Sequence, residues 1–153
     1  MLLTRFAHFF GMCLWLGGMV AAMVIAVAAR SESVSSRVSL FHVLGRVYSF
    51  VIGPGAILTL LSGVALTMSM GQATVGGTGS LGTLVMQATG LLAGGLVLFA
   101  GLPTATKLAR VADMVDENGP PPIFDRLRKR LAAVAHAVAV LTVLALYFGT
   151  VVR

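Results

Sequence analysis

Between Arg46 and Lys107 the chain reads VYSFVIGPGAILTLLSGVALTMSM, then GQATVGGTGS, then LGTLVMQATGLLAGGLVLFAGLPTAT (residues 47–106), without one Asp, Glu, Lys or Arg. About 20 apolar residues suffice for a helix to cross ~30 Å of hydrocarbon. The stretch is therefore too long for one crossing. Its middle, Gly71–Ser80, is rich in Gly and Thr and reads as a turn. Two helices follow, over Val47–Met70 and Leu81–Leu102.

Two further uncharged runs flank this pair, Phe6–Ala29 and Leu131–Val152. Each is long enough for one crossing. The first is longer than the 7–15-residue apolar core of a cleaved signal peptide and reads as a retained helix. The expected architecture is all-α: a single transmembrane domain over residues 1–153, an up-down bundle of four helices spanning about 6–29, 47–70, 81–102 and 131–152.

Composition agrees. The chain is 58% hydrophobic and 10% charged, against about 25% charged in a soluble domain. Its net charge of +6 does not make it a nucleic-acid binder, because the charges are segregated rather than spread over a folded face. Arg30, Arg37, Arg46, Lys107, Arg110, Arg126, Arg128, Lys129 and Arg130 all fall in the 30–46 and 107–130 connections, on one side of the bilayer. The opposite side carries Arg5 and Arg153. The positive-inside rule makes the basic side cytoplasmic. Both termini are then periplasmic, in an inner membrane of bacterial type. The third helix should continue past Pro103 and stop at Gly119-Pro120-Pro121-Pro122, which cannot propagate a helix.

Hydrophobicity drives little helix association in lipid, so small residues that let backbones approach take its place. Gly11, Gly18 and Ala22 share a face of helix one, and Gly90 and Gly94 form a G-x-x-x-G pair in helix three. The lone Cys13 lies in an apolar run and reads as a small packing residue. Gly53-Pro54-Gly55 should kink helix two, with the Thr59 and Ser62 hydroxyls satisfying freed backbone groups.

Ionisable groups within spans are functional candidates by default, and the chain offers three histidines. His8 lies about one turn into helix one, with Gly11, Met12, Trp15 and Gly18 near its face. A neutral imidazole is a good haem ligand, and the glycines leave room for a flat macrocycle. Met68, Met70, Met86 and Gln87 are expected across the bundle at that depth, where a methionine could complete a haem iron's axial pair or join His8 on a soft copper ion. The plainer alternative is an interfacial histidine bonded to a loop carbonyl, with Trp15 as filler. His42 and His136, near the cytoplasmic ends of helices two and four, could hold a haem between them, or could simply sit at the interface beside Arg46 and Arg130. His136, Val140, Val143 and Tyr147 share a face that ordinary bundle packing explains. There is no carboxylate inside a span, no P-loop and no G-x-S-x-G.

The segment His8-Phe9-Phe10-Gly11-Met12-Cys13-Leu14-Trp15-Leu16-Gly17-Gly18 resembles the first helix of CopD-like membrane proteins. It is also similar to HemJ-type protoporphyrinogen oxidases, in which a His is followed seven residues later by Trp. Pro54-Gly55-Ala56-Ile57-Leu58-Thr59-Leu60-Leu61-Ser62-Gly63 resembles the P-x-x-x-x-T-x-x-x-G of helix two in the HemJ type. The resemblance implies haem b on His8; on the CopD-like side it implies copper on His8 and nearby methionines. HemJ-type proteins carry a Lys near the start of helix three where this chain has Met86-Gln87, so the oxidase activity is not expected. The expected function is a small haem-b or redox-associated membrane protein, passing electrons to or from a quinone or partner. A different class is equally compatible: a non-catalytic accessory subunit packed in a larger respiratory or photosynthetic membrane complex. Copper transport or tolerance is the third reading.

The orientation has its own test. A reporter enzyme fused after Arg153 is expected to be active in the periplasm, and activity in the cytoplasm would reverse the assignment.

Overall fold

The structure is a computed structural model that describes residues 1–70, 78–114 and 121–151. It is all-α, with no strand among the described residues. Four helices are long and apolar enough to cross a membrane. The first span is α1 (Leu2–Ala28). The second runs without a break through α2 (Val34–Val47), a π-helical turn (Tyr48–Ile52) and α3 (Gly53–Met70). The third is built alike, from α4 (Thr78–Leu96), a π turn (Val97–Gly101) and α5 (Leu102–Ala112). The fourth is α6 (Pro122–Val151).

All four helices extend past their uncharged stretches. The 30–46 connection, expected as a loop, is helical from Val34 onward. Ser33 starts α2 by accepting the Ser36 N–H on its hydroxyl, which satisfies one of the orphan donors of the first turn. Phe41, Leu44 and Gly45 then bury one face, at the i, i+3, i+4 spacing of a helix seated against a neighbour. The true connection is closed by Arg37, which donates to the carbonyls of Ala29 and Glu32 at 3.0 and 3.2 Å. The extension past Pro103 is present as α5, which buries Thr104, Ala105, Leu108, Ala109, Val111 and Ala112 while Lys107 and Arg110 stay exposed. Most of the expected turn at Gly71–Ser80 lies outside the described residues, and Thr78-Gly79-Ser80 already belong to α4. Of the expected stop at Gly119-Pro120-Pro121-Pro122, residues 119 and 120 lie outside them too. Pro122 is the first residue of α6, where its missing N–H breaks no helical bond.

Successive spans are antiparallel neighbours. His8 meets Thr59 while Gly18 meets Ile52; Gln87 meets Thr67 while Gly45 meets Ala109; Met86 meets Gly149 while Gly101 meets Val134. The first and fourth spans make no extended contact among the described residues, so the bundle is open along that side. The fully buried side chains Leu44, Ile52, Val97, Leu108 and Val138 gather at the π turns and toward the end of the bundle that carries the basic residues. Phe41 and Phe124 meet there edge to face, 5.0 Å apart.

Outward faces are apolar, as lipid requires. Val140, Val143 and Tyr147 are exposed on α6 together with His136. The packing face of that helix is Leu127, Leu131, Val134 and Val138, so the His136 face is not a bundle-packing face. The reason is phase: residue 136 falls about 200° from both 134 and 138 at 3.6 residues per turn. Cys13, expected as a packing residue, is likewise exposed, about 200° from both Gly11 and Trp15 of the buried Gly11–Trp15–Gly18–Ala22 stripe.

The tightest contact is between α1 and α3. A Cβ at Gly11 would lie 2.7 Å from Thr59 Oγ1 and 2.9 Å from the Thr59 backbone nitrogen; one at Gly55 would lie 2.7 Å from the Trp15 backbone nitrogen. Backbone cannot retreat as a flexible side chain can. Gly11→Ala is therefore expected to destabilise the protein by about 1–3 kcal/mol, as overpacking does. Gly17→Ala, with nothing within 4 Å, should be neutral or stabilising by up to about 1 kcal/mol. Equilibrium unfolding in detergent measures both, and equal effects would refute the close approach.

Candidate functional site

The close approach of α1 and α3 brings a polar stripe of the second span against His8. His8 Nδ1 lies 3.0 Å from the Thr59 carbonyl oxygen and 3.2 Å from Ser62 Oγ. A carbonyl only accepts, so Nδ1 carries the proton and donates, leaving Nε2 with its lone pair. Nε2 has no hydrogen-bond partner among the described residues. Gly63 makes the seat: a Cβ there would be 3.1 Å from His8 Cε1. His8 is thus bonded to a carbonyl of a neighbouring helix, not to a loop.

The rest of the stripe is satisfied internally. Thr59 donates to the Gly55 carbonyl at 2.8 Å, Ser62 to the carbonyls of Leu58 and Thr59, and Thr67 to that of Gly63 at 3.0 Å. These are carbonyls beyond Pro54; the hydroxyls do not serve the backbone groups that the proline frees. Gln87, on α4, donates to Thr67 Oγ1 at 2.9 Å. Polar contacts therefore tie the second span to both of its neighbours, to the first at Thr59 and Ser62 and to the third at Thr67.

The other candidate residues are dispersed. Gly11 and Gly18 are filled by Thr59 and Ile52, so the room that sequence reserves for a macrocycle on that face is occupied by the second span. Met12 is half-buried beside them. Met86 turns its sulfur to the fourth span, against Gly149. Met68 is exposed, and the Met70 side chain lies outside the described residues. His42 Nε2 pairs with Asp113 Oδ1 at 2.7 Å, tying α2 to the end of α5 at the exposed basic end. His136 Nδ1 bonds the Ala132 carbonyl of its own helix at 2.7 Å and faces outward. The structure does not bring these two histidines together on a shared ligand. No group of three His, Cys, Asp or Glu that could hold a metal occurs among the described residues.

Sequence reasoning missed the environment of Trp15. The residue is 4% exposed, and its indole N–H has no acceptor. An unsatisfied buried donor costs about 1–3 kcal/mol. Its backbone nitrogen lies where α1 meets Gly55.

Comparison of the chain with protein-family models, with curated proteins and with solved structures finds no match.

The seating of His8 can be measured by a double-mutant cycle. His8→Phe and Ser62→Ala are expected to couple by about 0.5–1.5 kcal/mol, the net worth of one hydrogen bond. Additive effects would mean that the imidazole is not held by this stripe.

Proposed function

We propose that the chain is a small haem-b-associated protein of the type its first two helices resemble, with His8 as the axial ligand. The observation that carries this reading is the polarity of the His8 ring. Nδ1 is tied to the Thr59 carbonyl, and the free Nε2 sits in an apolar span. Ligating histidines characteristically donate their other ring nitrogen to a carbonyl or carboxylate, which fixes the tautomer and raises basicity. The residues fit one axial bond. They do not supply a second, since Met86 and Met68 are turned elsewhere. The same dispersal weighs against a copper site built from His8 and methionines.

Bound haem would supply a one-electron redox centre. The chain's own part is to orient the imidazole through Thr59 and Ser62. No catalytic residue is proposed, because no other acid or base stands beside His8 among the described residues. The positive-inside rule, applied to the nine basic residues, supports a cytoplasmic position for the opposite end of the bundle, with His8 and both termini then on the periplasmic side of a bacterial-type inner membrane.

A specific observation favours a second reading. The first and fourth spans leave the bundle open between them, with Leu2, Leu3, Phe6 and Phe9 exposed on one and Val140, Val143 and Tyr147 on the other. Such faces suit an accessory subunit lodged against other membrane subunits as well as they suit lipid.

Spectra of the detergent-purified protein, oxidised and then reduced with dithionite, separate the two. A Soret band that shifts on reduction and is lost in His8→Ala, but kept in His42→Ala and His136→Ala, is the expected result. A colourless, metal-free protein would sink both the haem and the copper readings. Stoichiometric co-purification of partners with wild type and His8→Ala alike would then favour the subunit reading.

A further inference from the structure

The two π turns leave backbone groups unmatched at one level of the bundle. In the second span the Gly53 N–H reaches back five residues to the Tyr48 carbonyl. The next residue, Pro54, has no N–H. It would have served Ser49 in the π register or Phe50 in the α register, so one carbonyl of that pair has lost its donor. The third span repeats the arrangement. Leu102 N–H reaches back to the Val97 carbonyl, Pro103 follows, and one carbonyl of Leu98 or Phe99 has lost its donor.

Ser49 of the second span and Leu98, Phe99, Leu102, Pro103 and Thr106 of the third line one open groove of about 450 Å³. The volume falls in the range of small-molecule sites. The protein has little with which to satisfy the groove. Thr106 spends its hydroxyl proton on its own helix, at the carbonyls of Leu102 and Pro103. The Ser49 hydroxyl has no hydrogen-bond partner among the described residues. All six lining residues lie within the stretches that cross the membrane, and in hydrocarbon no water takes the place of a missing partner. The Phe99 ring is 83% exposed, and Pro103 beside it is exposed as well. Together they offer a flat apolar wall.

We infer that this groove binds a lipid-soluble hydroquinone. The carbonyls need donors rather than acceptors, and they belong to two different helices. A hydroquinone carries two hydroxyl donors at opposite ends of one rigid ring, and its apolar body stacks on an exposed aromatic side chain. Rigidity favours it over a flexible hydroxylated lipid, which loses more freedom on binding. The inference does not depend on haem at His8, which contacts α3 farther along, at Thr59–Gly63.

The test uses the full chain in phosphatidylcholine nanodiscs, with decylubiquinol and its oxidised form, decylubiquinone, as probes. The quinol is expected to bind tighter by about tenfold or more, since the quinone can donate neither of the two hydrogen bonds. Pro54→Ala and Pro103→Ala restore the backbone donors and favour the helix, so folding is not at risk. In the double variant the quinol preference should vanish. Phe99→Leu should weaken both probes alike. Equal affinity of quinol and quinone, absence of binding, or a preference that survives both proline replacements would overturn the inference. Displacement of decylubiquinol by an equal concentration of dioleoylglycerol would overturn it too, by making a lipid hydroxyl the occupant.

Discussion

Backbone-to-backbone contact between α1 and α3 at Gly11 and Gly55 is the constraint from which the rest of the site follows. Lipid offers helices little hydrophobic reason to associate, so dispersion at close range and a few polar contacts must hold them. Two glycines facing each other let the axes approach until Thr59 touches Gly11 and Trp15 touches Gly55. That approach carries His8 onto the Thr59 carbonyl and Gly63. A side chain at either glycine would lift the histidine off its acceptor without touching it.

Polarity is confined to two levels in an otherwise apolar bundle. At the first, His8 bonds Thr59 and Ser62, Gln87 bonds Thr67, and the second-span hydroxyls bond carbonyls of their own helix, which leaves His8 Nε2 without a partner among the described residues. At the second, the π turns and their prolines leave acceptors over. Neither level carries a full charge. The charged residues lie at the bundle's ends, where His42–Asp113 and Arg128–Asp125 are exposed pairs that contribute little to stability. The molecule's charge therefore reports on its placement in a membrane, and its site chemistry rests on neutral groups.

The open side of the bundle has a related cause. The small residues of α1 are spent on α3, and Met86 of α4 is seated against Gly149 of α6. Nothing comparable faces from α1 to α6. Two helix pairs joined through the second and third spans are the result, with bulky apolar side chains on both flanks for lipid or for another subunit.

Sequence by itself determined four apolar helices, their up-down order and the gathering of basic residues at one end, because length and charge exclusion are properties of each segment alone. It also singled out the Gly11–Gly18–Ala22 face and the irregularity at Pro54, for the same local reason. Helix ends were read short at Val47, Leu102 and Leu131, since helical hydrogen bonding continues beyond the hydrocarbon where charged side chains reach water. Only the tertiary structure decided which histidine has a neighbour's carbonyl behind it, that Met86 turns to the fourth span, that Gly11 is filled by Thr59, and that Ser49 and Pro103 line one groove. Those facts depend on how far each helix is rotated and slid against the next, which is set jointly by residues tens of positions apart and is written in no single stretch of the chain.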